Sequence, residues 1–344
     1  MTLSSDPTPT QPLLSEPILV AAEGGLGLHP LARYALKFAT QGSALHLAAV
    51  TGDPRLLFPT IALQAEDWLD AHEAVLSSSK AALASAERRL AETPRSVDTS
   101  VVDLSAHSLS PAQAVASLAC RSNASLVAIT AFGRGERARG MWRIDPEELA
   151  SASACPVLYV PYACLEDGHT GLDKVMIGLD GSDNSFEALS FVMSHVPAAT
   201  RIHVVRVVDH ALGLRNTPRI TGLMRSGMRI LKRAYDMLIQ CGRMGETTLL
   251  GTSTSARTVA ETKAHEADRW NADLVVLGTR GHSPFRRWLL GSVSERSLRS
   301  ARRAVLIVPA LDDRATLRGL CDALGQDRDA VAENSAILPP PVFL

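Results

Sequence analysis

The amino-acid sequence of this chain contains the same unit twice, and the duplication limits the fold to two copies of one architecture. When residues 112–161 are laid over residues 260–309 without a gap, identical residues recur along the whole segment. They include Arg121 with Arg269, Asn123 with Asn271, Ala124 with Ala272, Leu126 with Leu274, Val127 with Val275, Gly133 with Gly281, and Pro161 with Pro309. The apolar segment that ends in Glu23-Gly24 also matches the one that ends in Asp180-Gly181, at a slightly different offset. A chain of 344 residues is long enough for two domains that each bury a core.

Each repeat alternates short apolar segments with amphipathic ones. In the first repeat we expect strands near 17–22, 43–50, 97–103, 125–131 and 156–160, and helices near 29–41, 62–92, 111–122 and 146–153. In the second we expect strands near 173–180, 201–208, 246–251, 273–278 and 304–308, and helices near 184–195, 217–241, 256–270 and 292–302. This alternation is typical of parallel sheets that carry helices on both faces, with right-handed crossovers. The predicted fold class is therefore α/β.

The same pattern predicts where the domains begin and end. We expect a disordered tail over 1–16, a first domain over 17–161, a linker over 162–172, a second domain over 173–309 and a C-terminal tail over 310–344. The linker segment has no hydrophobic periodicity, and the C-terminal tail has one weak helical pattern near 312–323 before a proline-rich end.

Composition and charge narrow the classes of function. A net charge of −1 and an aromatic content of 4% disfavour a nucleic-acid partner, which is bound through a basic field and stacking side chains. The five cysteines are widely spaced without a CxxC pair, which is typical of reduced thiols. The N-terminus lacks the basic start and apolar core of a secretion signal, and no run reaches the ~18 apolar residues of a membrane helix. We therefore expect a cytoplasmic protein that binds neither nucleic acid nor membrane.

A glycine-rich segment in the second repeat has the features of a phosphate-binding loop. It consists of Gly278-Thr279-Arg280-Gly281, nine further residues, and Gly291-Ser292-Val293-Ser294. The first part follows an apolar strand, where Gly278 and Gly281 allow a positive φ and a close approach of the backbone to an anion. The second part opens a predicted helix, whose unpaired N–H groups and positive dipole end attract anions. The alternative is a structural loop in which Ser292 and Glu295 form a capping box and the many neighbouring arginines are solvated.

A second element belongs to the same predicted site. The strand Val175–Leu179 ends at Asp180, which is followed by Gly181, Ser182 and a helix. In an open α/β sheet, ligands bind beside the carboxyl end of the strand at which the strand order reverses, so Asp180 could meet a ribose or a base. Alternatively, Asp180 is only a turn residue, and Ser182 or Asp183 caps the following helix.

With both elements in place, the sequence resembles the universal stress protein family, specifically its tandem two-domain members. The resemblance covers roughly 17–309. In that family the pattern G-x2-G-x9-G-(S/T) marks the members that bind ATP, and it is matched here by Gly278, Gly281, Gly291 and Ser292. The resemblance implies two flavodoxin-like (Rossmann-like) domains, each a five-stranded parallel sheet of order 3-2-1-4-5 with helices on both faces. It also implies pairing through the last strands, either between the two repeats or across a homodimer.

The resemblance further assigns roles to individual residues. Asp180 and Gly181 would lie by the adenosine, and Val207, near the end of the second strand, would border the adenine. Val293 and Ser294 would contact the phosphates, together with the motif glycines, Ser292 and Arg280. The expected ligand is ATP, with Mg²⁺ as an accompanying ion.

The first repeat departs from the motif. It has Thr130, Arg143 and Ile144 at the positions of Gly278, Gly291 and Ser292, and it has Glu23 in place of the aspartate. Its corresponding helix begins Asp145-Pro146-Glu147-Glu148, so we expect the free amides to be capped by a carboxylate of the protein itself. The first repeat is therefore predicted not to bind ATP.

The turn Glu23–Gly27 lacks the third glycine and the acidic residue of a dinucleotide-binding loop.

Several chemistries are not supported by any motif. There is no G-x4-GK(S/T) loop, HExxH helix or GxSxG elbow, and no general base is placed to activate water. The sequence therefore predicts a protein that binds ATP in a stress-response regulatory or signalling role through a protein partner, and that is at most a weak ATPase. The alternatives are a nucleotide-independent scaffold that serves dimerisation and a slow ATPase.

Overall fold

A computed structural model gives the fold of the chain. The structure describes residues 16–39, 42–54, 65–92, 95–105, 109–131, 143–166, 172–209, 218–252, 258–279, 294, 302–311, 314 and 317. Every structural statement below concerns these residues.

The first half of the chain alternates strands and helices as expected. Its strands are β1 (Ile18–Glu23), β2 (Leu45–Thr51), β3 (Val97–Asp103), β4 (Leu126–Ala131) and β5 (Val157–Pro161), and its helices are α1 (Leu28–Ala35), α2 (Ala65–Leu90), α3 (Pro111–Arg121) and α4 (Pro146–Ala152). A 3-10 turn, Leu36–Phe38, follows α1. The predicted linker begins with a short helix, α5 (Tyr162–Glu166), which the sequence analysis did not predict.

The second half repeats this order. Its strands are β6 (Lys174–Leu179), β7 (Arg201–Val208), β8 (Gly245–Gly251), β9 (Leu274–Gly278) and β10 (Ala304–Val308), and its helices are α6 (Asp183–His195), α7 (Pro218–Gln240) and α8 (Val259–Trp270). The helix expected near 292–302 and the weak helix near 312–323 fall mostly outside the described residues.

The strands form one ten-stranded sheet in the order β3-β2-β1-β4-β5-β10-β9-β6-β7-β8. Each half therefore has the order 3-2-1-4-5, and all neighbours within a half are parallel. Between the halves, β5 and β10 pair antiparallel, with Leu158 opposite Leu306. The predicted strand order is confirmed, and the last strands of the two repeats pair within the chain. Two buried apolar clusters, one on each face of the sheet, include residues from both halves.

Residues that are identical in the two repeats lie at the same junction between a helix and a strand. Asn123 and Asn271 adopt left-handed φ values of 48° and 54° where α3 and α8 end. In both copies the next residue returns a hydrogen bond into the helix, from the Ala124 N–H to Ala119 and from the Ala272 N–H to Ala267, each 2.8 Å long. Asparagine is one of the few side chains that accept this conformation, so the identities reflect a shared helix end.

Contacts other than the strand pairing also join the halves. The Tyr34 hydroxyl on α1 donates to the Asp273 carbonyl, and the Cys164 thiol donates to the Arg302 carbonyl. None of the described helices is both long and apolar enough to cross a membrane.

Candidate functional site

The candidate site lies at the carboxyl ends of β6, β7 and β9. In the sheet β6 stands between β7 and β9, and the chain leaves β6 for β7 on one side and reaches β9 on the other. This is the reversal of strand order at which α/β sheets bind ligands. The sequence-predicted residues Asp180, Val207 and Gly278 all come from these three strand ends.

Asp180 is held in a tight turn at the end of β6. Its Oδ1 accepts hydrogen bonds from the Ser182 N–H (2.9 Å) and from the Ser182 hydroxyl (2.6 Å). Gly181 between them has a φ of 91°, which a side chain would strain. Ser182 is also the N-cap of α6, since its hydroxyl oxygen accepts from the Ser185 N–H. The turn and capping roles considered as an alternative are therefore present in this site.

The carboxyl of Asp180 is held as an anion. Burial raises its pKa, but the hydrogen bonds from Ser182 and Ser185 and the positive charge of Lys263 outweigh burial, so its pKa lies below the usual value. An ionised carboxylate at this position can accept hydrogen bonds from hydroxyl groups such as those of a ribose.

Two cations lie near Asp180. Lys263 on α8 is 6% exposed, and a Cβ on Gly178 would lie 2.6 Å from its Nζ. Burial lowers the pKa of Lys263 to about 8, although the Asp180 charge acts in the opposite direction. Arg206 on β7 donates from Nη1 to the Leu179 carbonyl at 3.4 Å, and Arg206 also interacts electrostatically with Asp180. In the part of the chain that the structure describes, this strand end thus carries two cations and one carboxylate.

The sequence analysis did not identify Lys263 or Arg206 as site residues. A signal was available, because both replace apolar residues of the first repeat. The ungapped overlay puts Lys263 on Val115, which is fully buried. The strand registers, in which Ile18 pairs with Leu45 and Val175 with Ile202, put Arg206 on Ala49.

Gly278 has a structural role that the sequence analysis did not predict. It ends β9 without a positive φ, so the expected left-handed turn at this residue is wrong. Instead, a Cβ at this position would overlap Oδ1 of Asn184, which lies on α6. The Asn184 amide donates to the Val308 carbonyl at 3.2 Å and thereby ties the start of α6 to β10. Gly278 therefore allows a helix to pack closely against a strand end.

The hydroxyl group of Ser294 forms a hydrogen bond within the protein. It donates to the Gly278 carbonyl at 2.9 Å, and the residue is 6% exposed. Donation from Ser294 to a phosphate would require this hydrogen bond to be exchanged. Val207 is 4% exposed and packs in the apolar cluster beneath the strand ends.

Five predicted site residues lie outside the described residues. They are Arg280, Gly281, Gly291, Ser292 and Val293. Their roles remain predictions from the sequence. Among the described residues, no group of three His, Cys, Asp or Glu side chains is arranged to hold a metal ion.

The first repeat fills the equivalent place with its own carboxylates. Oε1 of the buried Glu23 accepts a hydrogen bond of 3.0 Å from the Ile144 N–H, just before α4. Asp145 caps α4 by accepting from the N–H groups of Glu147 and Glu148, as the sequence predicts. Burial raises the pKa of Glu23, against the effects of the Ile144 N–H and of Arg143.

Glu23 and Asp180 occupy equivalent positions in the two copies. In the first copy Ile18 pairs with Leu126, and in the second Val175 pairs with Leu274. Because the overlay aligns Leu126 with Leu274, Ile18 is equivalent to Val175. Glu23 follows Ile18 at the same spacing at which Asp180 follows Val175, so Glu23 is equivalent to Asp180. One carboxylate reaches across to a helix start, whereas the other turns back onto Ser182.

Comparisons with known proteins agree with this architecture. The sequence profile of the Universal stress protein family matches residues 171–309. A universal stress protein of Methanocaldococcus jannaschii is 30% identical over 157 residues, which cover 44% of this chain and 89% of that protein.

Solved structures share the fold across both halves. A crystal structure of a protein of unknown function from Pseudomonas aeruginosa has a TM-score of 0.60 at 16% identity, and covers 89% of this chain and 97% of its own. A universal stress protein from Archaeoglobus fulgidus has a TM-score of 0.56 at 14% identity, and covers 86% of this chain and 97% of its own.

Proposed function

The chain belongs to the universal stress protein family, and on this basis we propose that its second domain binds ATP and that binding regulates a protein partner. The observation that carries the proposal is the meeting of the two motif elements. The Asp180 turn ends β6, Gly278 ends the neighbouring strand β9, and both are at the same edge of the sheet. A ligand that bridges these strand ends would contact the carboxylate on one side and the glycine-rich segment on the other.

The described residues fit an adenine nucleotide with phosphates. The ionised Asp180 offers acceptors to ribose hydroxyls, and the two nearby cations, Lys263 and Arg206, offset phosphate charge. Gly281, Gly291 and Ser292 would supply backbone amides at the start of the predicted helix. Mg²⁺ would be held mainly by phosphate oxygens and water, as is usual for this ion.

In this proposal the first domain does not bind ATP. Its Glu23 carboxylate already accepts from the Ile144 N–H, and Glu147 and Glu148 stand in the first turn of α4. A phosphate at this place would meet carboxylates instead of donors. The first domain would act as a structural or regulatory partner of the second.

Calorimetric titration of the full chain with ATP tests the proposal. The wild type should bind one ATP per chain. Gly281→Val should weaken binding at least about tenfold, because a branched side chain blocks the approach of backbone to phosphate. Gly133→Val is the matched control, because Gly133 is the equivalent of Gly281 in the first repeat, and it should leave affinity unchanged. Equal affinity of the wild type and Gly281→Val would contradict the proposal.

The regulatory role has its own test. We expect the triphosphate to order the segment Arg280–Leu290 and so change the surface that a partner meets. The affinity for a protein partner, isolated from the native host with the tagged full chain, should differ with and without ATP. Equal affinities for the partner with and without ATP would contradict the regulatory role and leave the proposal of ATP binding unaffected.

Two other functions make different predictions. A nucleotide-independent scaffold is favoured by the antiparallel pairing of β5 with β10, and it predicts no heat of ATP binding. A slow ATPase predicts sustained phosphate release that Asp180→Ala abolishes.

The reduced state expected of the cysteines, four of which form no disulfide in the structure, accords with a cytoplasmic protein.

A further inference from the structure

The side chain of Lys263 is buried, and no described residue accepts a hydrogen bond from its ammonium group. Its side chain is 6% exposed and reaches from α8 to the space beside Gly178 and Leu277. Gly178 makes this possible, because a Cβ there would lie 2.6 Å from the Lys263 Nζ and 2.7 Å from a methyl carbon of Leu277. An ammonium group carries three donors, which a bound anion can accept at this place.

The charges around Lys263 do not cancel. Asp180 is the nearby carboxylate, and its Oδ1 is engaged by the Ser182 N–H and hydroxyl. Arg206 adds a second positive charge, and its Nε also lacks a partner among the described residues. Among the described residues, Asp180, Lys263 and Arg206 leave one positive charge in excess at the end of β6, where a ligand can supply an anion.

The first domain indicates where that anion would lie. There the Glu23 carboxylate extends from the end of β1 to the Ile144 N–H at the start of α4. Val115, the equivalent of Lys263, belongs to the same buried cluster as Ile144. The equivalent of Ile144 is Ser292, a residue of the glycine motif. Asp180, the equivalent of Glu23, is close enough to interact electrostatically with Lys263, so the first domain has a carboxylate near the position that Lys263 takes in the second.

We propose that Lys263 is a phosphate-binding residue, and that a phosphate group of the ligand takes the place in the second domain that the Glu23 carboxylate takes in the first. This inference rests on the proposed function and identifies a residue outside the glycine motif that distinguishes phosphorylated ligands from the bare nucleoside. Asp180 is one methylene shorter than glutamate and is turned onto Ser182, so it leaves this place to the ligand.

The test compares Lys263→Met with the wild type in titrations of the full chain with ATP, adenosine and tripolyphosphate. A hydrogen bond to a charged group is worth enough that ATP and tripolyphosphate should bind about 10- to 100-fold more weakly to the variant. Adenosine should bind both proteins equally. Lys232→Met is the control, because Lys232 is exposed on α7, and it should change no affinity. The melting temperature of Lys263→Met shows whether it folds, as the apolar Val115 in the sibling position leads us to expect.

Proton uptake gives a second measurement that a purely structural lysine would not affect. A phosphate beside Lys263 raises its pKa from about 8, so the wild type should take up protons on binding ATP at pH 8. ATP is fully ionised at this pH and does not contribute. Titrations in two buffers of different ionisation enthalpy measure the uptake, which should disappear in Lys263→Met.

Each result is decisive. If the wild type binds ATP and Lys263→Met binds it equally well, or if ATP and adenosine weaken together, the inference is overturned and the proposed function stands. If the wild type binds tripolyphosphate through Lys263 but not ATP, the inference stands and the proposed function fails. Binding of neither ligand overturns both.

Discussion

The Tyr34 hydroxyl of the first domain donates a 3.1 Å hydrogen bond to the backbone carbonyl of Asp273 in the second. Tyr34 is 3% exposed, and the Asp273 carboxylate in turn accepts from the N–H groups of Asp173 and Lys174 at the start of β6. The contact therefore joins helix α1 to the segment that begins the central strand of the candidate site.

Tyr34→Phe is expected to lower the free energy of unfolding by about 1 to 2 kcal/mol, because the partly buried Asp273 carbonyl loses the hydrogen bond from the buried Tyr34 hydroxyl. Urea denaturation of the full chain measures this change. Tyr235→Phe is the control, since Tyr235 is 45% exposed on α7, and it should alter stability by less than about 0.5 kcal/mol. Equal stability of both variants would mean that the contact does not hold the halves together.

Glu23→Gln is expected to stabilise the protein at neutral pH. Burial raises the pKa of Glu23 above 4.5, so the contribution of Glu23 to stability is fully present below pH 4.5 and is lost as pH rises through the raised pKa. Glutamine carries no charge, and its amide oxygen can still accept from Ile144. The melting temperature of the variant should exceed that of the wild type at pH 7, and the gap should narrow toward pH 4.

Asp180→Asn, at the equivalent position, is expected to act in the opposite direction. The hydrogen bonds from Ser182 lower the pKa of Asp180 below 3.8 despite burial, so its contribution to stability is present above pH 3.8 and is lost as pH falls through the lowered pKa. The variant should therefore melt below the wild type at pH 7. A melting temperature that rises in both variants would contradict the assignment of opposite environments to the two carboxyls.

Lys263→Met is expected to raise the free energy of unfolding at pH 7 by about 3 kcal/mol, the equivalent of the shift of the Lys263 pKa from 10.5 to about 8. Because the folded pKa is the lower one, the cost of the buried charge is fully present below pH 8 and is relieved as pH rises toward 10.5. The difference between variant and wild type in urea should shrink over this window. If the difference in free energy of unfolding stays constant with pH, the charge of the Lys263 ammonium group is not the cause of the lower stability of the wild type.

Gly278→Ala is expected to lower the free energy of unfolding by about 1 to 3 kcal/mol, because its Cβ overlaps the Asn184 side chain. In the Asn184→Ala background the same substitution should cost less. A double-mutant cycle in urea measures the coupling. Additive effects would mean that Gly278 is required for another reason.

The alternation of strands and helices predicted the fold class, and the family resemblance of the glycine motif and the Asp180 turn implied the strand order. The order 3-2-1-4-5 is present in both halves, and β5 pairs with β10 within the chain, which is one of the two pairings that the resemblance implied. The capping of α4 by Asp145 was also predictable, because caps depend on a few consecutive residues.

The reason for Gly278 and the presence of Lys263 were not predictable in the same way. A glycine is needed at position 278 because a Cβ there would overlap the side chain of Asn184. Asn184 is far away in the sequence and lies beside Gly278 only when α6 packs onto β9. Lys263 lies within a helix, where a lysine is ordinarily a surface residue. Its burial is possible because residue 178 is a glycine and has no side chain in the space that the lysine takes. Both contacts are between distant segments, which local patterns do not encode.

The antiparallel pairing of β5 with β10 joins two unequal halves through one polypeptide. In an assembly of identical subunits, any substitution appears in every copy, so all sites gain or lose function together. Fusion removes this constraint: Glu23 and Asp180 can diverge independently, and every molecule still contains one of each half in a fixed ratio that does not depend on concentration.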